Sequence, residues 1–266
     1  IAWDHINVFP TFENYVEQFE TFISLIEPNG ALVYNSEDVE IQKLATAATG
    51  LQLVPYHTPD FQPTENGTLL TFQGQQYPLQ VFGAHNLQNL MGAMYVAGQM
   101  VIAAADFLNA MSNFTGAGKR LQKVIAQDSF VLYKDFAHSP SKLEATIHAV
   151  KQQFPERHLI AAIELHTFSS LNAEFLKEYA TTMDEADQAI VIIDQQTFKQ
   201  KQMTPFDESI VKKSFNNEKL IFFDNFEIFE AYLNTNSFTN TNLLLMSSGN
   251  FGGLDLEKLK NNLLKK

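Results

Sequence analysis

Apolar side chains recur every three or four residues in several stretches of the first half of the chain, which is the spacing of one helix face. Shorter apolar runs between these stretches are typical of strands. The pattern predicts helices over residues 12–26, 38–48 and 85–107, strands over 31–34 and 51–56, and a hairpin of strands 68–72 and 76–82. The first half is therefore predicted to be a mixed α/β unit that ends near Phe107.

In the second half, apolar runs of strand length alternate with stretches of helical spacing. The predicted strands cover residues 131–133, 159–164, 189–193, 220–223 and 243–246. The predicted helices cover residues 140–153, 173–185, 207–215, 226–233 and 254–264. Such alternation is typical of a mostly parallel sheet with right-handed crossovers, so this half is predicted to have a Rossmann-like fold.

A polar segment, residues 109–119, separates the two halves. It contains Asn, Ser, Thr and two Gly residues, which are typical of a connection between domains. We therefore predict two α/β domains, residues 1–108 and residues 109–266.

The composition excludes several classes of function. The chain has 266 residues, is 45% hydrophobic and carries a net charge of −12. Such a negative chain is not expected to bind nucleic acid, although a few local donors suffice for the phosphates of one nucleotide. No apolar run reaches membrane-spanning length, so no membrane partner is expected. The absence of Cys excludes disulfides and thiolate metal sites, and it fits a cytoplasmic protein.

The sequence D-F-A-H-S-P at residues 135–140 joins a predicted strand to a predicted helix. Ser139 suits the N-cap position and Pro140 suits the first helical turn. Asp135 and His138 therefore lie where an α/β sheet usually opens onto a ligand, at the carboxyl end of a strand. An ordinary strand-to-helix turn, in which both side chains satisfy local backbone groups, would explain the same residues.

Two further predicted strands end in polar residues. One is followed by E-L-H-T-F-S-S at 164–170, with His166 and Ser170, and the other by M-S-S-G-N-F-G-G at 246–253, with Gly249 and Asn250. Because the carboxyl ends of parallel strands share one edge of a sheet, these segments are expected to lie near Asp135 and His138. The G-x-x-G-G spacing is not a dinucleotide fingerprint, which requires G-x-G-x-x-G after the first strand.

The first half also contains candidate ligands. An imidazole beside a carboxylate, as in Asp4-His5, can bind a divalent cation, although a single His is more often structural. In G-A-H-N-L-Q-N at 83–89, Asn86 and Asn89 share a helix face, and their amides suit an adenine edge. Helix capping by Asn86 is the alternative interpretation.

The sequence T-G-A-G-K-R at 115–120 is not a Walker phosphate-binding loop. That loop consists of Gly, four further residues, Gly-Lys and then Ser or Thr, whereas here Asn113 and Arg120 occupy the first and last of these positions. Lys119 and Arg120 remain candidate charged donors to phosphate.

In order and spacing, these segments resemble those of the Mur ligase family, the ATP-dependent amide-forming enzymes of peptidoglycan synthesis. Residues 3–9 resemble its D-H-x-D-x-F/Y segment, residues 83–89 its G-x-H-N-x-x-N segment, and residues 135–140 its D-[FY]-[AG]-H-x-P segment. The resemblance implies part of a central ATPase domain followed by a Rossmann-like acceptor-binding domain. It also implies an N-terminal domain and a Walker loop that this sequence lacks, so we expect a C-terminal portion that is inactive alone.

Two features favour the branch of the family that recycles peptidoglycan by joining UDP-N-acetylmuramate to a preformed murein tripeptide. Members that add L-alanine carry Arg where this chain has Ser170, and a small residue would leave room for a longer acceptor. Residues 246–253 resemble the M-S-N-G-x-F-G-G segment of the tripeptide-adding branch.

The resemblance implies a role for each matching residue. ATP would phosphorylate the lactyl carboxylate of UDP-N-acetylmuramate, and the amine of the tripeptide would attack the resulting acyl phosphate. His5 would bind Mg²⁺, and the nucleotide would be bound by His85, Asn86, Asn89, Arg120 and Asp135. His138 would be catalytic, as a base or as an orienting group, and the acceptor would be bound by His166, Ser170, Gly249 and Asn250.

Three alternatives remain open at the level of the sequence. A ligase of the same family that adds L-alanine is the first, and a non-catalytic module that binds a nucleotide or peptide is the second. A nicotinamide dehydrogenase is the third, and the missing glycine fingerprint argues against it.

Overall fold

The computed structural model describes residues 1–265, and its contacts divide the chain into two compact units between Thr115 and Gly116. No helix within these described residues is both long enough and apolar enough to cross a membrane.

The first unit combines helices with a parallel pair and an antiparallel trio of strands. Its elements are α1 (Phe12–Ser24), β1 (Ala31–Asn35), α2 (Val39–Ala47), β2 (Gln52–Tyr56), β3 (Asp60–Thr64), β4 (Gly67–Phe72), β5 (Gln75–Leu79), α3 (Ala84–Gln99) and α4 (Ala104–Met111). Strands β1 and β2 pair in parallel, and β3, β4 and β5 pair antiparallel in that order. The core between α3, α4 and the antiparallel strands contains Leu70, Leu87 and Leu108, all fully buried.

The division between the units falls beyond the predicted boundary at residue 108. Helix α4 belongs to the first unit because it packs against α3 and β5. The Gln80 side-chain amide also donates a hydrogen bond to the carbonyl oxygen of Ser112, at 3.1 Å. The residues that follow α4 are thereby held on the first unit.

One long helix was predicted over residues 85–107, and this prediction is wrong. The structure has two helices, α3 and α4, because the chain turns at Val101, whose φ is +64°. Neither Gly nor Pro marks this turn, and a β-branched residue rarely adopts a positive φ. Val101 is 94% exposed, so the turn takes it out of the apolar face that predicted a single helix.

The second unit is built on a six-stranded sheet. Its elements are β6 (Gln122–Gln127), β7 (Phe130–Asp135), α5 (Pro140–Gln153), β8 (His158–Glu164), a 3-10 helix (Phe175–Tyr179), β9 (Gln188–Ile192), α6 (Gln195–Lys201), α7 (Glu208–Phe215), β10 (Ile221–Phe223), α8 (Phe226–Thr235), β11 (Thr241–Met246), a second 3-10 helix (Phe251–Gly253) and α9 (Leu256–Leu263). The strand order is β10-β9-β8-β11-β7-β6, and every pairing is parallel except that of β6 with β7. The prediction of a mostly parallel α/β sheet is therefore confirmed.

The order of the strands creates a switch point at the centre of this sheet. The chain moves outwards from β8 to β9 and β10, and then returns so that β11 lies between β8 and β7. Helices α8 and α9 share one buried core, through Phe229 and Leu259, whereas α5 packs on β8 and β11. Ligands of open α/β sheets bind outside the carboxyl ends of the strands at such a point.

The structure corrects the predicted elements of the second unit at three places. The predicted helix over 173–185 is only a short 3-10 helix, because the chain turns at Thr181, whose amide donates to the carbonyl oxygen of Phe215 at 3.1 Å. Phe175 and Tyr179 are both buried and lie four residues apart, which is the spacing that predicted a longer helix. Strand β6 and helix α6 were not predicted, because half of the residues of β6 and all of those of α6 except Phe198 are polar.

Candidate functional site

Three strand ends lie side by side at the carboxyl edge of the six-stranded sheet. In the register of the sheet, Met246 at the end of β11 pairs with Asp135 of β7 and with Ile163 of β8. The backbone N–H of Ser247 continues the ladder by donating to the carbonyl oxygen of Asp135, at 3.0 Å. The loops after β7, β8 and β11 therefore leave the sheet together, as the sequence predicted.

The Asp135 carboxylate is buried and holds its own turn together. One oxygen accepts from the backbone N–H of Leu121 and the other from that of Ala137, both at 2.7 Å. The hydroxyl of Thr146 on α5 lies 3.4 Å from the second oxygen. Because Arg120 directly precedes Leu121, this carboxylate also fixes the backbone beside Arg120, whose guanidinium lies over the ring of Phe136 at 5.4 Å.

His138 is buried and its ring orientation is fixed. Its Nδ1 lies 2.8 Å from the carbonyl oxygen of Phe136, so this nitrogen carries the proton and donates it. The carbonyl oxygen of His138 in turn accepts from the hydroxyl of Tyr179, at 2.5 Å. With Nδ1 as the donor, Nε2 is the ring nitrogen with the lone pair, and hence the one with the capacity to take up a proton.

Glu164, at the end of β8, binds the loop that follows β11. Its Oε2 accepts from the Ser247 hydroxyl and from the backbone N–H of Phe251, the latter at 2.7 Å. The Ser247 hydroxyl oxygen also accepts from the N–H of Gly249, at 2.7 Å. We refer to this arrangement of Glu164, Ser247, Gly249 and Phe251 as the glutamate clamp, and it joins two strand ends into one structure.

The glutamate clamp and His166 leave little space for a side chain at Gly249. A Cβ on this residue would lie 3.1 Å from Glu164 Oε2 and 3.1 Å from His166 Cε1. Asn250, the next residue, is exposed and caps the short 3-10 helix by accepting from the N–H of Gly253, at 3.2 Å. The loop after β11 is therefore ordered at both of the positions that the sequence predicted to bind an acceptor.

His166 lies against the same loop and is neutral near pH 7. Its Nε2 is 3.2 Å from the Ser248 hydroxyl, and its Nδ1 is 3.9 Å from Glu164 Oε1. Burial lowers the pKa of His166, and the positive charge of Lys201 and the nearby His138 lower it further, while Glu164 opposes the shift. A neutral imidazole beside a hydroxyl can accept or donate a hydrogen bond to a polar ligand.

Ser170 has a local structural partner. It is fully buried, and its hydroxyl oxygen accepts from the backbone N–H of Thr167, at 3.0 Å, and lies 2.9 Å from the Thr167 hydroxyl. The N–H of Ser170 donates back to the Thr167 hydroxyl, at 3.1 Å. These reciprocal bonds close the turn after His166.

In the first unit, Asp4 and His5 form a compact pair. Asp4 is buried, and its Oδ1 accepts from the backbone N–H of His5 at 2.7 Å, while its Oδ2 lies 3.7 Å from His5 Nε2. His5 has a φ of +57° and an exposed side chain. The pair offers one carboxylate oxygen and one imidazole nitrogen, and the oxygen is the ligand type that Mg²⁺ prefers.

The asparagines predicted to bind adenine lie in the first two turns of α3. Gly83 precedes the helix with a φ of +89°, a backbone conformation that suits Gly. Asn86 is half-buried and its amide donates to the carbonyl oxygen of Phe82 at 2.9 Å, so its side chain is oriented locally. Asn89 is exposed and His85 is half-buried.

The sequence did not identify the glutamate clamp. Glu164 lies two residues before His166, and neither it nor Ser247 and Ser248 is among the residues predicted to bind a ligand. The signal was a carboxylate placed directly after the wholly apolar run Leu159–Ile163, since a buried carboxylate requires hydrogen-bond donors.

Comparison with known proteins gives one family for both units. Residues 1–97 match the Mur ligase middle domain, and residues 119–249 match the Mur ligase glutamate ligase domain. The chain belongs to the Mur ligase family, whose members are ATP-dependent ligases. The predicted membership of this family is thereby confirmed.

Relatives by sequence include UDP-N-acetylmuramate–L-alanine ligases. That of Porphyromonas gingivalis is 27% identical over 203 residues, and that of Renibacterium salmoninarum is 29% identical over 202 residues. The alignments cover 71% of this chain in both cases, and 44% and 43% of the relatives. The chain thus spans about half the length of the curated relatives that it matches.

Solved structures share the fold at lower identity. MurF from Acinetobacter baumannii is 16% identical with a TM-score of 0.76, and the match covers 100% of this chain and 58% of that one. A murein peptide ligase from Psychrobacter arcticus is 15% identical with a TM-score of 0.61, covering 94% of this chain and 54% of that one.

Proposed function

We propose that this chain contributes the acceptor-binding part of a ligase that joins UDP-N-acetylmuramate to the murein tripeptide L-alanyl-γ-D-glutamyl-meso-diaminopimelate. The observation that carries the proposal is the glutamate clamp, which holds the M-S-S-G-N-F-G-G loop beside His166. This loop resembles that of tripeptide-adding members of the family. Ser170 supports the same substrate, because members that add L-alanine carry Arg at its position.

ATP is proposed as the phosphoryl donor, and the candidate nucleotide-binding residues are those that the family resemblance implies. In the first unit, Asn86 and Asn89 would contact the adenine, with His85 adjacent. In the second, Arg120 would contact the phosphates and Asp135 the ribose. The geometry assigns Asp135 a definite structural task as well, because its two oxygens already accept the N–H groups of Leu121 and Ala137.

Mg²⁺ fits the donor set of the first unit. Asp4 offers a carboxylate oxygen and His5 an imidazole nitrogen beside it. A bound magnesium ion would offset the negative charge of the phosphate groups during transfer.

The chemistry proposed for the second unit is amide formation. A carboxylate oxygen of UDP-N-acetylmuramate takes the terminal phosphoryl group of ATP, with ADP as the leaving group. The tripeptide amine then attacks the acyl carbon and phosphate leaves. His138 and His166 would line the acceptor site, and the lone pair on His138 Nε2 would receive the amine proton or orient the amine.

The choice of acceptor is tested with the full-length protein that carries this chain. It is supplied with ATP, UDP-N-acetylmuramate and either the tripeptide or L-alanine, and phosphate release is measured. We expect release with the tripeptide and little release with L-alanine. Release that depends on L-alanine would overturn the proposal in favour of the second candidate, an L-alanine-adding ligase, which the curated relatives favour.

The role of His138 is tested in the same assay. Replacement by Ala should lower kcat by at least tenfold, since one positioned proton acceptor is typically worth about 10²–10⁴ in rate. Ser248→Ala is the control in the neighbouring loop, and it should mainly change the KM for the tripeptide. An unchanged kcat and KM in His138→Ala would remove His138 from the site.

A non-catalytic binding module is separated from a ligase by calorimetry. The purified chain is titrated with the tripeptide and, in a separate experiment, with ATP. Tripeptide binding by the chain, combined with no phosphate release by the full-length protein, would favour the binding module.

A further inference from the structure

A basic cavity of about 310 Å³ opens on the second unit, between strands β6 and β7 and helix α9. Four lysines line it, Lys119, Lys123, Lys134 and Lys260, together with a single carboxylate, that of Glu257. We call this cavity the lysine pocket. It is unusual in a chain with 18 basic and 30 acidic residues, where a random patch of surface is expected to be acidic.

The four lysines of the pocket outnumber its carboxylate, that of Glu257, and none of them forms a close ion pair within the described residues. Among the residues that the structure describes, no carboxylate oxygen lies within 4.0 Å of any of these four ammonium groups. Elsewhere, Lys151 and Lys258 do form such pairs, with Asp187 and Glu230. Like charges held together without a counterion destabilise the folded state, so a bound anion would relieve a repulsion that the fold has built in.

Lys134 makes the pocket more than a set of surface lysines. It is the penultimate residue of β7 and is only partly exposed. Burial lowers the pKa of Lys134, the positive charge of Lys119 lowers it further, and Glu164 opposes the shift. An anion in the pocket would stabilise the charged form of this lysine.

Strand β6, at the edge of the sheet, lines this cavity with adjacent side chains because it contains a bulge. The pairing of β6 with β7 shifts register between Lys123 and Ile125, which leaves Val124 as an extra residue. A bulge of this kind redirects side chains, and three consecutive residues, Gln122, Lys123 and Val124, line the pocket. Consecutive residues of a regular strand would point to opposite faces.

We propose that the lysine pocket binds the diphosphate group of a small ligand. Several ammonium groups around a cavity at the lower end of the size range of ligand sites suit a compact anion with several oxygens. Both free pyrophosphate and a nucleoside diphosphate supply this group. Arg120, Asp135 and the α3 asparagines, which are proposed for ATP, do not line this cavity, and Lys119 is the one candidate phosphate donor of the sequence that does.

Calorimetry of the purified chain with inorganic pyrophosphate, ADP and UDP tests this proposal. The variant Lys134→Gln/Lys260→Gln removes two charges from the pocket, and Lys199→Gln/Lys213→Gln removes two exposed charges elsewhere on the same unit. We expect pyrophosphate to bind the unaltered chain and the control, and the pocket variant to bind at least tenfold more weakly. Tighter binding of ADP or UDP, weakened by the same variant, would identify a nucleotide as the source.

Two results would overturn the proposal. One is the absence of pyrophosphate binding to the unaltered chain at low ionic strength, where electrostatic attraction is strongest. The other is binding that survives in the pocket variant and is lost in Arg120→Gln, which would place the anion at the nucleotide site instead. Should Lys134→Gln impair folding, Lys123→Gln/Lys260→Gln provides the same test on residues outside β7. None of these measurements depends on ligase activity.

Discussion

Two buried carboxylates at one edge of the sheet, Asp135 and Glu164, perform different structural tasks. The partners of Asp135 lie at most 14 residues away in sequence, at Leu121, Ala137 and Thr146. Those of Glu164 lie 83 and 87 residues away, in the loop after β11. Asp135 therefore organises one local turn, whereas Glu164 joins two strand ends that meet only once the whole unit has folded.

This difference indicates that the candidate site has two halves, one around each carboxylate. The turn around Asp135 positions Arg120, which we propose for nucleotide binding, and His138, which we propose for catalysis. The glutamate clamp positions Gly249 and Ser248 beside His166, which we assign to the acceptor. The two halves of the edge should thus respond separately to mutation.

The largest effect is expected for Asp135→Ala. The variant leaves the N–H groups of Leu121 and Ala137 without an acceptor in a buried turn, at a cost of about 3 kcal/mol in the free energy of unfolding. Urea denaturation measures this loss. Asp135→Asn keeps one acceptor oxygen and should lose clearly less, and a loss below about 1 kcal/mol in the Ala variant would contradict the assigned structural task.

Glu164→Ala is expected to cost about 2 kcal/mol and to loosen a remote segment. Hydrogen exchange of the Phe251 amide should accelerate, because its acceptor is gone. Glu164→Gln retains a carbonyl oxygen for the same donors and should largely restore protection. Asp135→Ala should leave the Phe251 amide protected under conditions where the unit stays folded, and equal deprotection by both variants would show that the two halves are not separate.

Gly249→Ala is expected to destabilise by about 1 kcal/mol, since the new Cβ would press on Glu164 Oε2 and the His166 ring. Thermal denaturation measures the change in stability as a shift in Tm. Gly98→Ala is the matched control, because a Cβ at this exposed position of α3 meets nothing within 4 Å, and Ala favours a helix. The two variants should shift Tm in opposite directions.

The smallest effect is a pH dependence that arises from His166. Its pKa is lowered in the folded state, so the unfolded chain binds the proton more readily. The neutral ring therefore contributes full stability above about pH 6.5, the ordinary His pKa, and this contribution is lost as the pH falls through the folded pKa. Between pH 5 and pH 7, the free energy of unfolding should depend less on pH in His166→Asn than in the unaltered chain. An identical slope in both would refute the assignment of this pH dependence to His166.

Much of the fold was predictable because apolar runs mark buried elements irrespective of what they pack against. Leu243–Met246 and Leu159–Glu164 were found in this way, and both are buried strands of the central sheet. Strand β6 escaped detection because half of its sequence, Q-K-V-I-A-Q, is polar and its apolar residues form a run of only three. The turn at Val101 escaped detection because a β-branched residue rarely adopts a positive φ, so the sequence gives no sign of a turn there.

The candidate site was only partly predictable for a related reason. Asp135 and His138 are recognisable because a strand-to-helix turn is encoded by adjacent residues. The glutamate clamp depends on a register between β8 and β11 that no local pattern specifies. The lysine pocket was equally hidden, since Lys260 lies more than a hundred residues from Lys134 in the sequence.

The central place of β11 also has a consequence for synthesis of the chain. This strand is the last of the sheet to be made, yet it is wholly buried and hydrogen-bonded to β7 on one side and β8 on the other. Until it emerges from the ribosome, β7 and β8 each present an unpaired apolar edge, the type of surface on which chains aggregate. The second unit therefore gains its fold in a late step, and nascent chains that end before Thr241 are expected to need a chaperone.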